Sequence, residues 1–305
     1  QVYGRQAVSA GDTDWGARFA YGHRTGNDYR SGDGTSIPAS YNSRDFDVAF
    51  GCELTADSHV EFNYLRLDQT NVELPGQAFD IDWLVTDGYE VKYVVEDPGI
   101  GDRWIIDAWY NRTRLEGNAQ NPSKRRMFPL YDLLGFVGNT SVDSESSGFR
   151  TALTWGDAES GQLVTGVDLR YIRQSLDEIT SGRFGFAIWD HANSPIPPSH
   201  TVNPGLFAEY LQTLSDDLRV RAGGRLDTYR AAITESPANL QSLGTQTPQM
   251  SLADILGTDQ WTQNFTLPSI FLTGEYDVTD CWTATAAAGF AEQAPSLTDM
   301  YAAQP

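Results

Sequence analysis

The chain has 305 residues, with 41 acidic against 21 basic side chains, a net charge of −20 and 40% hydrophobic residues. This sign of charge excludes a nucleic-acid-binding surface, which needs clustered positive charge, and the length is ample for one large domain. No run of 18 apolar residues occurs, so no transmembrane helix is encoded.

In chain order, extended segments are expected at 2–8, 13–24, 43–53, 59–68, 87–96, 103–115, 146–156, 161–175, 204–213, 218–230, 265–276 and 281–291. The count is eleven, or twelve with the first. Side chains along a strand alternate between two faces. Phe46, Val48, Phe50 and Cys52 thus share one face, away from Asp45, Asp47, Gly51 and Glu53. Tyr89, Val91, Tyr93 and Val95 face away from Glu90, Lys92 and Glu96. In the next segment Trp104, Ile106, Ala108 and Tyr110 oppose Asp107 and Asn111, although Ile105 and Trp109 blur the pattern. Further on, Leu218, Val220, Ala222 and Leu226 oppose Arg219, Arg221, Arg225 and Asp227, and Trp282, Ala284, Ala286 and Phe290 oppose Thr283, Thr285 and Gly289.

The connections alternate too. Short turns are expected at 9–13, 54–58, 97–102, 157–161, 214–217 and 277–280, and long polar loops at 25–42, 68–87, 116–144, 176–203 and 231–264. A soluble antiparallel sheet also alternates, but it has no reason to place every long loop at one end. An outer-membrane barrel does, with short periplasmic turns and long external loops. The segments, about 9–13 residues, suit tilted strands crossing the hydrocarbon. Aromatics near their ends, among them Trp15, Tyr21, Tyr64, Trp104, Tyr110, Trp155, Tyr171 and Trp282, suit an interfacial girdle. Cys52 is in phase with the lipid face and Cys281 is not; they read as two independent positions rather than a disulfide.

No G-x-S-x-G, H-E-x-x-H, Walker loop or C-x-x-C is present, so no catalytic residue, resident metal or cofactor is expected and the chain does not read as an enzyme. Candidate ligand contacts lie in the loops: Tyr29, Arg125 and Arg126 near Phe128 and Tyr131, and Phe186 and Trp189 near His191. Aromatic rings beside cations suit bulky anionic chelates; equally, the loops can fold over one another and bury these rings. Acidic loop residues such as Asp28, Asp33, Asp80 and Asp143 can attract cations or bridge lipopolysaccharide phosphates through divalent ions, or simply be solvated.

Two stretches carry a family resemblance. Gly205 to Arg230 contains Phe207, Ala208, Glu209 and Tyr210, a short turn, then Gly223, Gly224, Arg225, Leu226 and Asp227. This resembles a strand–turn–strand of TonB-dependent outer-membrane receptors, (G)-x-F-A-E/Q-aromatic followed by G-x-R-x-D. The second stretch, Ala294, Pro295, Ser296, Leu297, Thr298, Asp299, Met300, Tyr301 and Ala302, is similar to that family's R-x-P-(S/T)-L-x-E-L-Y-A. Here Gln293 stands for the usual Arg, Asp299 for Glu and Met300 for Leu. Residues 26–64 also resemble the copper-receptor and cobalamin-receptor branches.

The resemblance implies an all-β fold, a transmembrane antiparallel barrel of which this chain holds about 11–12 of an expected 22 strands. Residues 1–305 would be part of a single barrel domain, with no plug domain and no signal peptide in this chain. It further implies energised uptake of a scarce solute across the bacterial outer membrane: a ferric siderophore, cobalamin, or a metal such as copper. The partners would be outer-membrane lipid and lipopolysaccharide, TonB through a missing N-terminal segment, and the small-molecule or metal-chelate ligand, with no nucleic acid. A passive porin-like or adhesion barrel, closed at twelve strands, is the alternative, and a soluble β-protein is a third.

Overall fold

The computed structural model describes residues 2–234 and 261–302. Strands follow one another as β1 (Val2–Gly11), β2 (Trp15–Gly26), β3 (Tyr29–Arg30), β4 (Ser36–Ile37), β5 (Tyr41–Thr55), β6 (Ser58–Val72), β7 (Asp80–Glu96) and β8 (Arg103–Asn118). After two helical turns, Pro122–Met127 and Leu130–Leu133, come β9 (Val137–Asp157), β10 (Gly161–Phe184), β11 (Ala187–Ser215), β12 (Leu218–Ile233), β13 (Thr262–Thr279) and β14 (Trp282–Ala291). Apart from the small β3–β4 hairpin, all pair antiparallel with their sequence neighbours in one twelve-stranded sheet. All twelve expected segments are strands. Its edges, β1 and β14, do not pair with each other, so the chain forms an open arc and not the narrow closed barrel that a count of twelve allows.

Register assigns the faces, because residues directly opposite in an antiparallel pair share a side. Val8, Phe19, Val48, Tyr64, Tyr89 and Tyr110 form one cross-strand row. Further round the arc, Trp155, Leu163, Tyr210, Ala222, Leu272 and Ala288 form another. These rows define an apolar convex face. Rings of Phe19, Phe46, Tyr64, Tyr89 and Tyr110 meet in turn at centroid separations of 4.9, 5.8, 4.8 and 6.2 Å, the first two pairs T-shaped and the last two tilted, a continuous girdle across five strands.

No second layer covers either face. Among the described residues the buried hydrophobics are Ala20, Val94, Ala119, Ala231, Ala232, Ala294, Leu297 and Tyr301, most of them alanine. A soluble sandwich buries large side chains between its sheets. Here Ile270, Leu206 and Phe290 stand at 64%, 56% and 55% exposure on the convex face, as the outward apolar band of a membrane barrel would have them.

Turns of a few residues, at 12–14, 56–57, 97–102, 158–160, 216–217 and 280–281, all lie at one end of the strands. The opposite end differs from expectation in how its length is built. Most strands continue well past the girdle, so the segment expected as a loop at 176–203 is a tall hairpin. β10 and β11 keep pairing up to Phe184 with Ala187, interrupted only by shifts around Leu176, and turn at Gly185, whose φ of 60° suits glycine. Past the girdle both faces of such a hairpin lie open, so its sequence loses the alternation that marks a strand. The expected loop at 231–264 falls mostly on residues 235–260, outside the described residues. Both cysteines are free, Cys52 opposite Trp15 and Val60 on the convex face and Cys281 in a turn.

Candidate functional site: the concave wall and its mouth

Between the short turns and the girdle the concave face carries the charge; past the girdle the convex face has ion pairs of its own, Arg66–Asp87 at 3.0 Å and Arg112–Asp143 at 2.7 Å. Asp168, Gly205 and Asp227 lie side by side in one row across β10, β11 and β12. Arg225 reaches over the row: its Nη1 and Nη2 donate to Asp168 at 2.5 and 2.8 Å, its Nε donates to Asp227 at 2.6 Å, and Nη2 also donates to Asp227. A side chain at Gly205 would collide with this guanidinium, which is the physical reason for a glycine there. Phe207, opposite Arg225 and Gly166, lies under the Arg150 guanidinium at 4.3 Å from the ring centre. Glu209 pairs with Arg221 at 3.4 Å, while Ala208 and Gly224 oppose each other on the convex face. The first motif is therefore the pin of three strands.

Leaving β14, the chain folds inward over this wall. Ser296 caps a one-turn helix, Leu297–Tyr301: its hydroxyl accepts from the Asp299 amide while the Asp299 carboxylate accepts from the Ser296 amide. Leu297 and Tyr301 are buried against Ala231, with Ile172, Tyr229, Ile233 and Met300 around them, and Ala294 is buried beside Pro295 at the approach. The Tyr301 hydroxyl lies 3.1 and 3.2 Å from the Ala231 and Trp261 carbonyls. The second motif is a plug of local core at the mouth of β10–β13.

The mouth loops are tied to one another. Lys124 is fully buried and forms a 2.9 Å ion pair with Asp80, which is equally buried. Asp80 also accepts from the Ser123 hydroxyl at 2.7 Å and the Leu74 amide at 2.9 Å, and Lys124 donates to the Leu74 carbonyl at 2.5 Å. The β6–β7 and β8–β9 loops are thereby clipped together. Arg125 donates to the Phe136 carbonyl and stands 3.6 Å from Asp132, over the Tyr131 ring. Phe128, Tyr131 and Phe136 stack on each other, so this cluster folds on itself. Arg126 is exposed, Tyr29 is exposed in the β3–β4 hairpin, and Phe186 projects fully from the β10–β11 tip. Trp189 is placed opposite Gly182 in that hairpin. The five loop candidates do not converge on one point: they sit on three separate loops.

Register reveals groups that alternation alone had not singled out. Arg5 and Arg18 both reach Asp47, at 2.5 and 2.7 Å, beside a concave-face pocket of about 390 Å³ walled by Asn63, Leu65 and Trp109. Trp109 points inward because Gly148 opposite it leaves room for the indole. Among the described residues no three His, Cys, Asp or Glu side chains gather to hold a metal ion. His59 lies 3.7 Å from Glu61 and His200 stacks on Tyr171.

The family model "TonB dependent receptor-like, beta-barrel" matches residues 3–305. The chain belongs to the TonB-dependent receptor family. Members of this family are outer-membrane transporters rather than enzymes. Solved structures with the same fold include the copper transporter OprC, at 21% identity and a TM-score of 0.73, covering 95% of this chain and 42% of that one. The FrpB iron transporter of Neisseria meningitidis aligns at 11% identity and a TM-score of 0.65, over 97% of this chain and 44% of that one. The ferric citrate transporter FecA, unliganded, aligns at 13% identity and a TM-score of 0.61, over 93% and 40%. This receptor chain thus spans less than half the length of each of these three structures. No curated protein matches it in sequence.

Proposed function

We propose that residues 1–305 are part of the single barrel domain of an outer-membrane receptor that takes up a scarce solute with energy supplied through TonB. The observation that carries this reading is the division of the sheet, from the short turns to the girdle, into an apolar convex face and a concave face of pinned charges. A wall of that kind suits a wide lumen that holds protein or water, and the share of the related structures that the chain spans leaves room for a plug and further strands. Ferric siderophores, cobalamin and copper are the solute classes considered; the sequence likeness to the copper-receptor and cobalamin-receptor branches and the alignment with a copper transporter favour a metal or its chelate. Outer-membrane lipid and lipopolysaccharide would meet the convex face. The motif residues Phe207, Glu209, Arg225, Asp227, Leu297 and Tyr301 serve the wall, and Arg126, Tyr29 and Phe186 are the exposed loop groups left to meet a ligand.

The test starts with the intact polypeptide from outer membranes. A mass roughly twice the 33.7 kDa of this chain, as an about 22-stranded plugged barrel requires, together with solute uptake lost on deletion of tonB, is the expected result. Uptake that persists without TonB would replace this reading with a passive pore.

A further inference from the structure

Beyond the girdle, on the concave side of the mouth, Thr140 of β9 and Glu178 of β10 are direct cross-strand partners. With Phe79, Phe136, Asn139 and Thr180 they line a pocket of about 200 Å³. Thr140 is 5% exposed, and its hydroxyl has no hydrogen-bond partner among the described residues. A buried hydroxyl without a partner costs stability unless something else in the pocket satisfies it. Glu178 stands in the part of β10 above the membrane, half-buried; burial alone pushes its carboxyl above the usual range, and no cation offsets it. The two phenyl rings supply an apolar wall whose π-faces attract cations. Gly138, next to Thr140's neighbour Asn139, leaves room for the Phe136 ring, so the wall is shaped and not collapsed.

We propose that this pocket binds a protonated primary amine on a short apolar stem, with Glu178 accepting from the ammonium, Thr140 completing its hydrogen bonds and Phe79 and Phe136 holding the stem. An anion or a neutral sugar would leave the carboxylate unpaired among phenyl rings, whereas an ammonium satisfies the carboxylate and the hydroxyl at once. The pocket is below the ~300–1,000 Å³ of drug-sized sites, so it takes a small amine or one aminoalkyl arm of a larger molecule. The net charge of −20 draws cations toward it. The site does not depend on TonB or on uptake, so its failure would leave the transport reading standing.

The experiment uses the intact receptor in detergent micelles, with 2-phenylethylammonium chloride and neutral 2-phenylethanol as probes, followed by calorimetry and saturation-transfer NMR. The wild type should bind the ammonium about tenfold or more tightly than the alcohol, as one charge-assisted hydrogen bond implies. Glu178→Gln, nearly isosteric, should erase that preference, and Thr140→Val should weaken ammonium binding several-fold. Glu159→Gln, in the turn at the opposite end, should leave both affinities unchanged and shows that a lost surface charge is insufficient. Equal affinity for the two probes in the wild type, a preference that survives Glu178→Gln, or no binding to folded protein overturns the assignment.

Discussion

Arg225 illustrates how one side chain can fix the register of a barrel wall. It engages Asp168 and Asp227, both largely buried, through a fork that a lysine ammonium lacks. Arg225→Ala leaves two carboxylates facing each other across Gly205, and should lower stability by about 2–3 kcal/mol. Arg225→Lys should recover only part of this. Urea unfolding in detergent micelles, followed by tryptophan fluorescence, reads both; an unchanged midpoint in Arg225→Ala would remove the pin from the argument. Asp33 shows the same logic in a loop. The Ser31 hydroxyl and the Thr35 amide donate to its carboxylate and lower its pKa to about 2. Because the folded value is depressed, the turn gains its stability above the ordinary carboxylate pKa and loses it as pH falls through about 2. The Thr35 amide resonance should therefore titrate near pH 2, and at a higher pH in Ser31→Ala, where the largest cause of the depression is gone while the Thr35 donors remain.

At the scale of elements, strands up to the girdle were legible and their extensions past it were not. Phe46, Val48 and Phe50 alternate with charge because β5 turns an apolar side outward and a charged side inward. Ile179 and Ile188, in the tall hairpin, are exposed on its open faces, so nothing in the sequence marks the pairing of Ile179 with Ala192 or of Ile188 with Arg183. Ile105 and Trp109 blurred β8 for a different reason: both are large apolar residues that face inward, Trp109 into the room that Gly148 leaves. The motif residues could be found by likeness, but their task could not, since Asp168 lies 57 residues from Arg225 and only register joins them. Of the adjacent candidates Arg125 and Arg126, Arg125 is engaged inside its loop, as is the neighbouring Lys124. Breaking one side of the buried Lys124–Asp80 pair should cost roughly 3–5 kcal/mol of local stability. Lys124→Met should therefore speed hydrogen exchange and protease nicking at 73–79 and 119–127 while the strands stay protected. Arg126→Ala should change neither. Equal protection in Lys124→Met and wild type would show that the clip does not hold the loops.

For the molecule as a whole, the assignment of faces is the claim on which the rest depends, and it makes an asymmetric prediction. Val91 and Lys92 are adjacent in β7 and point to opposite sides, Val91 opposite Phe62 and Ala108, Lys92 opposite Glu61 and Asp107. An arginine on the lipid face costs about 2–4 kcal/mol at the bilayer midplane, because the guanidinium must drag water into the hydrocarbon or abandon its hydration. On the water side it keeps that hydration and finds carboxylates nearby. Val91→Arg should therefore reduce folding of the intact receptor into phospholipid vesicles, measured as loss of the heat-modifiable band on gels. Lys92→Arg should fold like the wild type, and Lys92→Val should be nearly as well tolerated, since it only removes charge from a wetted wall. Thinner bilayers bring the interface closer to β7 and should soften the Val91→Arg defect without affecting the Lys92 variants. If both positions tolerated arginine equally in every bilayer, the convex face would not be the lipid face, and the girdle from Phe19 to Tyr110 would need another explanation.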